Sequence, residues 1–350
     1  MKKYYTRVCN FYHGNESLKL VSQKKSLPLN GNNQISFDQI EIISRNSKKK
    51  IKIEDIKKLS KFFKKKINAD LKVVTKKKKN FSNLNFNKMP NIMGILNMTP
   101  DSFSDGGRFN KKRRGINHAI SLFKMGADII DIGGESTRPG SKSISSAKEW
   151  RRIEKTLKKI DKKINLSLDT RKSEIMTKGI KSGVKLINDI SGLSYDSQTI
   201  KILKKNNTPF VIHHSQGDPE IMQVNPKYKN VILDIYDFFE KKIKLLRIKG
   251  IKHNNIIVDP GIGFGKNLKH NMSLIRNISI FHSLGFPILL GLSRKRFIKD
   301  ISKNNDTKER LGGTMSSCLY AMTQGVQILR VHNVNELTQG IKVFKELIKD

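Results

Sequence analysis

Along residues 91–350, polar side chains recur wherever a short apolar run stops. Asn97 ends the first run, Glu135, Ser136, Thr137 and Arg138 follow the second, and Asp169 ends the third. Asn188 and Asp189 lie in the fourth, His213 and His214 end the fifth, and Asp259 ends the sixth. Ser293, Arg294 and Lys295 end the seventh, and the eighth carries Arg330 and His332. One such residue can simply cap the helix that follows it. Eight in succession need another account, because polar groups buried together are costly unless they pair or hold a ligand. Asp169, Asn188 and Asp259 offer acceptors and one amide donor, suited to the edge of a flat heterocycle rich in N–H groups. Arg330, His332 and Asn97 suit an anion or a metal-bound phosphate. A hard Mg²⁺ ion held mainly by substrate phosphates is compatible with Asn97. No His, Cys and carboxylate cluster has the spacing of structural zinc, and no activated Ser or Cys nucleophile is visible.

The apolar runs that carry these residues are short and often β-branched: 91–96, 127–132, 164–168, 185–190, 209–213, 255–258, 286–292 and 326–331. Between or after them lie stretches with helical spacing at 113–125, 146–160, 172–182, 196–206, 229–249, 269–284, 308–324 and 335–348. Near-continuous apolar strands alternating with helices predict a parallel sheet covered on both faces. Eight units in this length fit a (β/α)₈ TIM barrel, whose strand ends converge on one rim. A doubly wound open sheet would place a Gly-rich phosphate loop after the first strand. That strand leads into NMTPDSFSDGG instead, and the GxG-like string GIGFG follows the sixth.

The chain divides near residue 90, into an extension at 1–88 and the barrel at 89–350. In the extension, the alternation of 35–43 predicts a strand and the spacing of 53–67 an amphipathic helix. The Lys-, Asn- and Ser-rich stretch 75–89 reads as a linker. The formal charge of +39 is spread along the chain: residues 1–88 hold 23 basic and 6 acidic residues, and Lys supplies 54 of the 69 basic residues. Base readout favours clustered Arg, Asn and Gln with interleaved aromatics. The Lys blocks at 48–50, 64–66 and 76–79 lack that company, so they read as solvated surface and no specific nucleic-acid partner is expected. No apolar run approaches a membrane span, and two cysteines, Cys9 and Cys318, make no disulfide framework. The cytoplasm is the expected location.

At the strand ends the sequence resembles one family. MGILNMTPDSFSDGG at 93–107 and DIGGESTRPGS at 131–141 look like the two signature loops of the dihydropteroate synthases. SLDT at 167–170, INDISG at 187–192, DPGIGFGKN at 259–267, GLSRK at 291–295 and RVHNV at 330–334 come in the family's order. Several long motifs in register are far more specific than one short pattern. The resemblance covers about residues 91–350 and implies a (β/α)₈ barrel. It also implies a transferase of folate biosynthesis, inhibited by sulfonamides. Such an enzyme condenses 6-hydroxymethyl-7,8-dihydropterin diphosphate with 4-aminobenzoate and releases diphosphate. By the same resemblance Asp169, Asn188, Asp259 and Lys295 hold the pterin, and Thr137, Arg330 and His332 the diphosphate, with Asn97 on Mg²⁺. Asp105 and Arg138 belong to two loops that complete the aminobenzoate pocket beside Pro139, Phe264 and Arg296. Asp105, Arg138 and Lys295 are the catalytic candidates, and the family's homodimer is expected.

Four positions depart from the family's usual pattern. Arg296 follows Lys295 where Ser is common, Arg171 replaces Ser after DT, His213 stands where Met is frequent, and Asn333 where Asp is usual. Two other readings stand beside the synthase. A pterin-binding methyltransferase would keep the Asp and Asn contacts but would not need NMTPDSFSDGG or Arg330 and His332. An inactive paralogue or polyanion binder would be marked by loss of Asn97, Asp169 or Lys295, and all three are present.

Overall fold

The protein is described from a computed structural model that covers residues 3–81, 84–99, 114–136, 140–217 and 225–349. The first part of the chain is more regular than its composition suggests. It forms β1 (Tyr5–His13), α1 (Gly14–Ser22), β2 (Leu27–Leu29), β3 (Asn32–Ile43), β4 (Lys48–Lys52) and α2 (Lys61–Thr75). β3 is the centre of an antiparallel sheet, paired with β1 along one edge and with β2 and β4 along the other. The expected strand at 35–43 lies within β3. The expected helix at 53–67 divides: Ile53–Lys58 is a 3-10 segment, and α2 begins only at Lys61. Val8, Phe37, Ile40, Ile67, Leu71 and Val74 give this unit its own core.

The unit is fastened to the rest of the chain. Its Tyr5 hydroxyl donates to Asp237 at 2.9 Å, Arg45 pairs with Asp234 at 2.7 Å, and the Ser279 hydroxyl donates to the Val8 carbonyl at 2.8 Å. At Gly14, which has a positive φ, a Cβ would stand 2.4 Å from the Lys349 carbonyl oxygen. Only glycine lets the start of α1 meet the end of the chain there.

Beyond this unit lie eight parallel strands: β5 (Asn91–Asn97), β6 (Ile129–Gly133), β7 (Leu166–Asp169), β8 (Leu186–Asp189), β9 (Phe210–His213), β10 (Ile256–Asp259), β11 (Leu289–Leu290) and β12 (Ile328–Val331). They alternate with α3 (Arg114–Lys124), α4 (Ser146–Lys159), α5 (Ser173–Lys181), α6 (Thr199–Asn206), α7 (Val231–Ile248), α8 (Leu268–Arg276), α9 (Arg296–Ser302), α10 (Leu311–Thr323) and α11 (Val334–Leu347). Every expected strand is present. The strand order is β10-β9-β8-β7-β6-β5-β12-β11, and a parallel bridge between Val258 and Ile288 joins its two ends. The result is the (β/α)₈ barrel the alternation predicts. No helix among the described residues is long and apolar enough to cross a membrane.

Side chains alternate across each strand. Ile130, Ile132, Leu168, Ile187, Ile212, Val258 and Leu329 point outward into the core shared with the helices. Met93, Ile129, Leu186, Val211, Ile257, Leu289 and Ile328 point inward and form one apolar layer. Leu84 (0% exposed) and Phe86 (2%) complete that layer from below. The stretch 75–89, which composition reads as a linker, therefore supplies the barrel floor. Two apolar residues separated by Asn85 carry no helical or strand-length periodicity, so only the folded structure reveals them. Asn91 holds the segment in place, accepting from the Asn85 amide at 3.0 Å and donating to its carbonyl at 3.1 Å.

Because Phe86 fills a closed layer, Phe86→Ala is expected to lower stability by about 3–5 kcal/mol. Urea denaturation of the full chain measures this. A loss under about 1 kcal/mol would show that the floor does not depend on this ring.

Candidate active site

Two residues beyond the apolar layer, the same inward face turns polar. Stepping by two from Ile129, Ser167, Leu186, Val211, Ile257 and Ile328 reaches Asp131, Asp169, Asn188, His213, Asp259 and Arg330. The parallel register pairs Asn97 with Gly133, Gly133 with Asp169, and Asp169 with Asn188, placing these positions in one row across four neighbouring strands. Asp259 stands beside His213 in the same way. Strand pleat and register are enough to gather residues far apart in sequence.

Arg330 organises the row. Its Nε donates to Asp131 Oδ2 at 2.6 Å and its Nη2 to Asp169 Oδ2 at 2.8 Å. Asn188 Nδ2 donates to the same Asp131 oxygen at 2.9 Å. That bond fixes the amide orientation, so Asn188 Oδ1 is left as an acceptor. Asn188 Oδ1 and Asp169 Oδ1 are both buried and without a hydrogen-bond partner. Buried acceptors are rarely left open without a ligand to satisfy them. Burial raises the Asp169 pKa, and neighbouring Asp131 adds to this while Arg330 opposes it. Burial also lowers the pKa of Arg330, but Asp131 and Asp169 more than restore it, and the net change is upward.

Asp259 and Lys295 flank this group. Burial pushes the Asp259 pKa up to about 6, against the Gly261 amide and the cations Lys295, Lys266 and Arg330. The Gly261 amide donates to Asp259 Oδ1 at 2.8 Å. Burial, reinforced by Arg330, lowers the Lys295 pKa, while Asp259 and Asp169 pull it back. Lys295 Nζ lies 4.1 Å from the centre of the Phe264 ring. Gly263 makes room for it: a Cβ there would stand 3.1 Å from Lys295 Cδ. His332 Nδ1 lies 3.0 Å from the Ser293 hydroxyl, which links β12 to the end of β11.

The departures from the family's pattern acquire physical explanations. Arg171 Nε donates to Glu135 at 3.1 Å, and Lys172 joins Glu135 at 2.9 Å to Glu149 at 2.6 Å. This buried ion network holds the start of the loop that continues from β6. Asn333 Oδ1 accepts from Arg294 Nε at 3.0 Å and Nη2 at 2.8 Å, so an amide oxygen serves where a carboxylate is usual. His213 packs edge-on against Phe264, with ring centres 4.5 Å apart. Arg296 is not brought into the cluster. As the first residue of α9 it is 77% exposed, and its Nε lies 3.6 Å from Asp300 on the same helix. Asp189, which points outward from β8, is a turn residue that accepts from Ser191 N at 2.8 Å and Leu193 N at 3.2 Å. Asp105, Thr137, Arg138 and Pro139 lie outside the described residues.

Asp131 is the residue that strand-end reasoning passes over, because it sits inside the run ADIIDI and not after it. Its signal is parity: it is two residues from Ile129, on the inner face, and is the one charge there in an apolar strand. Removing it would leave Arg330 with a single carboxylate and free Asn188 to rotate. Asp131→Ala is expected to lower stability by about 3–5 kcal/mol in urea denaturation and, by freeing Asn188, to weaken binding of the ligand that Asn188 holds. Isothermal titration with a pterin diphosphate measures this, and wild-type affinity in the variant would remove Asp131 from the site.

The description "Pterin binding enzyme" belongs to the family model that matches residues 93–332. The dihydropteroate synthase of Synechocystis is 39% identical over 254 residues, 72% of this chain and 88% of the relative. Among solved structures, the Yersinia pestis dihydropteroate synthase with a sulfonamide drug complex superposes with a TM-score of 0.71 at 37% identity, covering 75% of this chain and 95% of that one. The Xanthomonas albilineans dihydropteroate synthase in complex with 7,8-dihydropteroate gives 0.67 at 30% identity, with 75% and 95% covered. Matching barrel, matching motif order and close relatives agree: the chain belongs to the pterin-binding enzyme family, among the dihydropteroate synthases.

Proposed function

We propose that the inner rim of this barrel joins 4-aminobenzoate to 6-hydroxymethyl-7,8-dihydropterin diphosphate, forming 7,8-dihydropteroate. One observation carries the residue assignment: Asp169 Oδ1 and Asn188 Oδ1 are buried open acceptors beside the Arg330 guanidinium. A pterin presents a row of N–H donors along one edge, which satisfies them. Asp259 and Lys295 close the pterin site, and Thr137, Arg330 and His332 take the diphosphate. Phe264 and Pro139 line the aminobenzoate pocket, with Asp105 and Arg138 completing it from the two loops.

The chemistry needs no strong base. The C–O bond to diphosphate breaks with its electron pair leaving on oxygen, the amine nitrogen bonds to the methylene carbon, and the amine gives up a proton. Arg330 and His332 stabilise charge on the departing group, while Asp169 and Asp259 favour the electron-poor carbon left behind. Mg²⁺ belongs to this reading. Gly133 has no side chain, and Asn97 Oδ1 and Asp169 Oδ2 face the space a Cβ would take, at 3.8 and 3.7 Å. Among the described residues no three His, Cys, Asp or Glu side chains form a metal cage. One or two protein oxygens beside a phosphate-rich substrate suit an ion held mainly by that substrate. When bound, the ion would neutralise charge on the diphosphate. We place the chain in the cytoplasm, where two buried unpaired thiols, Cys9 and Cys318, stay reduced. We also propose a homodimer through the face where Ile301, Tyr320, Val343 and Leu347 are exposed.

Purified protein is expected to release diphosphate only when Mg²⁺, the pterin diphosphate and 4-aminobenzoate are all supplied. Methyl transfer from a folate, or no turnover where a known synthase works, would refute the assignment. The pH dependence has a definite sign. Protonating Asp169, whose pKa burial raises to about 8, or Asp259, raised to about 6, removes acceptor capacity. The kcat/KM for the pterin diphosphate should therefore fall progressively as pH drops through that range. An acid limb at the ordinary carboxylate value would show that Asp259 does not hold the pterin.

A further inference from the structure

We infer that Lys266 is a positioning residue for the aminobenzoate half of the site, its buried ammonium tying the end of β9 to the turn after β10 and so setting where Phe264 stands. The inference rests on the assignment of Phe264 to that pocket. Lys266 is 3% exposed. Its Nζ lies 2.8 Å from the Phe264 carbonyl oxygen, 3.1 Å from His214 Nδ1 and 3.3 Å from the His214 carbonyl oxygen. An ammonium has three donors, and these three acceptors use them all. The ring of Tyr228, 6.0 Å from Nζ, adds a weaker attraction.

Two features argue against a purely structural role. First, no carboxylate lies within ion-pair distance of Lys266 among the described residues, and a buried cation held only by neutral acceptors stabilises a fold less than an apolar side chain would. Second, the turn it holds places three glycines around one core side chain, Ile262. Gly261, Gly263 and Gly265 have φ of +71°, +82° and +60°. A Cβ at Gly261 would lie 1.9 Å from the His214 carbonyl oxygen, the same atom that Lys266 binds. Glycine permits this close approach. Asn271 Oδ1 accepts from the Gly263 amide at 2.8 Å and the Tyr228 hydroxyl donates to the Gly265 carbonyl at 2.9 Å, and Lys266 adds the tie at the Phe264 carbonyl between them. Phe264 is then held edge-on to His213 and under Lys295, so a shift of the turn would move both the pocket wall and a pterin-binding cation.

The tie is sensitive to pH. Burial brings the Lys266 pKa down to about 7, Asp259 at the end of β10 resists, and Lys295 adds to the drop. The other titratable groups around it are His213 and His214 at the end of β9, kept neutral by burial, with Tyr228 before α7 and His270 on α8. A deprotonated amine has two donors for three acceptors and turns a lone pair toward one of them. The turn should loosen as pH rises through about 7.

Steady-state kinetics on the full chain from pH 6 to 9, with hydrogen–deuterium exchange over 261–267, test this in wild type, Lys266→Arg, Lys266→Met and Phe264→Ala. In Lys266→Met we expect KM for 4-aminobenzoate to rise about tenfold, equivalent to about 1.4 kcal/mol. KM for the pterin diphosphate should change less than about threefold, and exchange in the turn should quicken. Wild-type KM for 4-aminobenzoate should climb with pH, while Lys266→Arg, charged throughout, stays flat. A flat wild-type profile with slow exchange at every pH, or equal rises in both KM values in Lys266→Met, would overturn the inference. If Phe264→Ala left the 4-aminobenzoate KM unchanged, the pocket assignment would fall instead, whatever the exchange data said of the tie.

Discussion

Arg330 enters the barrel on the inner face of β12 and meets two carboxylates, Asp131 at 2.6 Å and Asp169 at 2.8 Å. Neither partner could be buried there alone, since an unpaired charge in a protein interior is heavily penalised. Together they bring a guanidinium and two carboxylates below the rim while leaving Asp169 Oδ1 and Asn188 Oδ1 open. The remaining site residues depend on that arrangement. Asn188 takes its orientation from Asp131, and the pKa of Lys295 is set partly by Arg330 and Asp169. A guanidinium and unpartnered acceptors thus come from one ion cluster, fixed in place before any ligand arrives.

That cluster needs a rigid support beneath it. The apolar layer from Met93 to Ile328 provides one, and Leu84 and Phe86 close its underside. The amino-terminal unit is therefore joined to the barrel at two places. One is this floor, and the other is the set of contacts from Tyr5, Arg45 and Val8 to α7 and the segment Ile278–Leu284. The lysines of the unit remain mostly at the surface, as a solvated face would have them.

Much of the site was legible because the chemistry sits at strand ends, where apolar runs stop abruptly. Asp169, Asp259 and Lys295 announce themselves this way, and Asn188 and Arg330 stand within the last residues of their runs. Asp131 does not, since it interrupts a run from within and only its parity with Ile129 betrays it. Lys266 was hidden differently, among glycines that draw attention to the backbone. Arg296 follows Lys295 directly but stays out of the cluster, because it opens α9 with its side chain in solvent. The floor residues Leu84 and Phe86 lie in a segment whose composition points away from a core.

By itself the sequence determined the alternation of apolar runs and helices, and with it the barrel, since near-continuous β-branched strands separated by helices have few other ways to bury both faces. It also determined the inventory of polar residues at the rim and, through the order of motifs, the family. Tertiary structure alone decided which of those groups touch. Register across β5 to β8 put Asn97, Gly133, Asp169 and Asn188 in one row, and closure brought Arg330 from β12 to Asp131 and Asp169. Contacts of that kind join residues up to 199 positions apart. No local pattern encodes them, because they arise only when the sheet closes and the pleat turns alternate side chains into a shared interior.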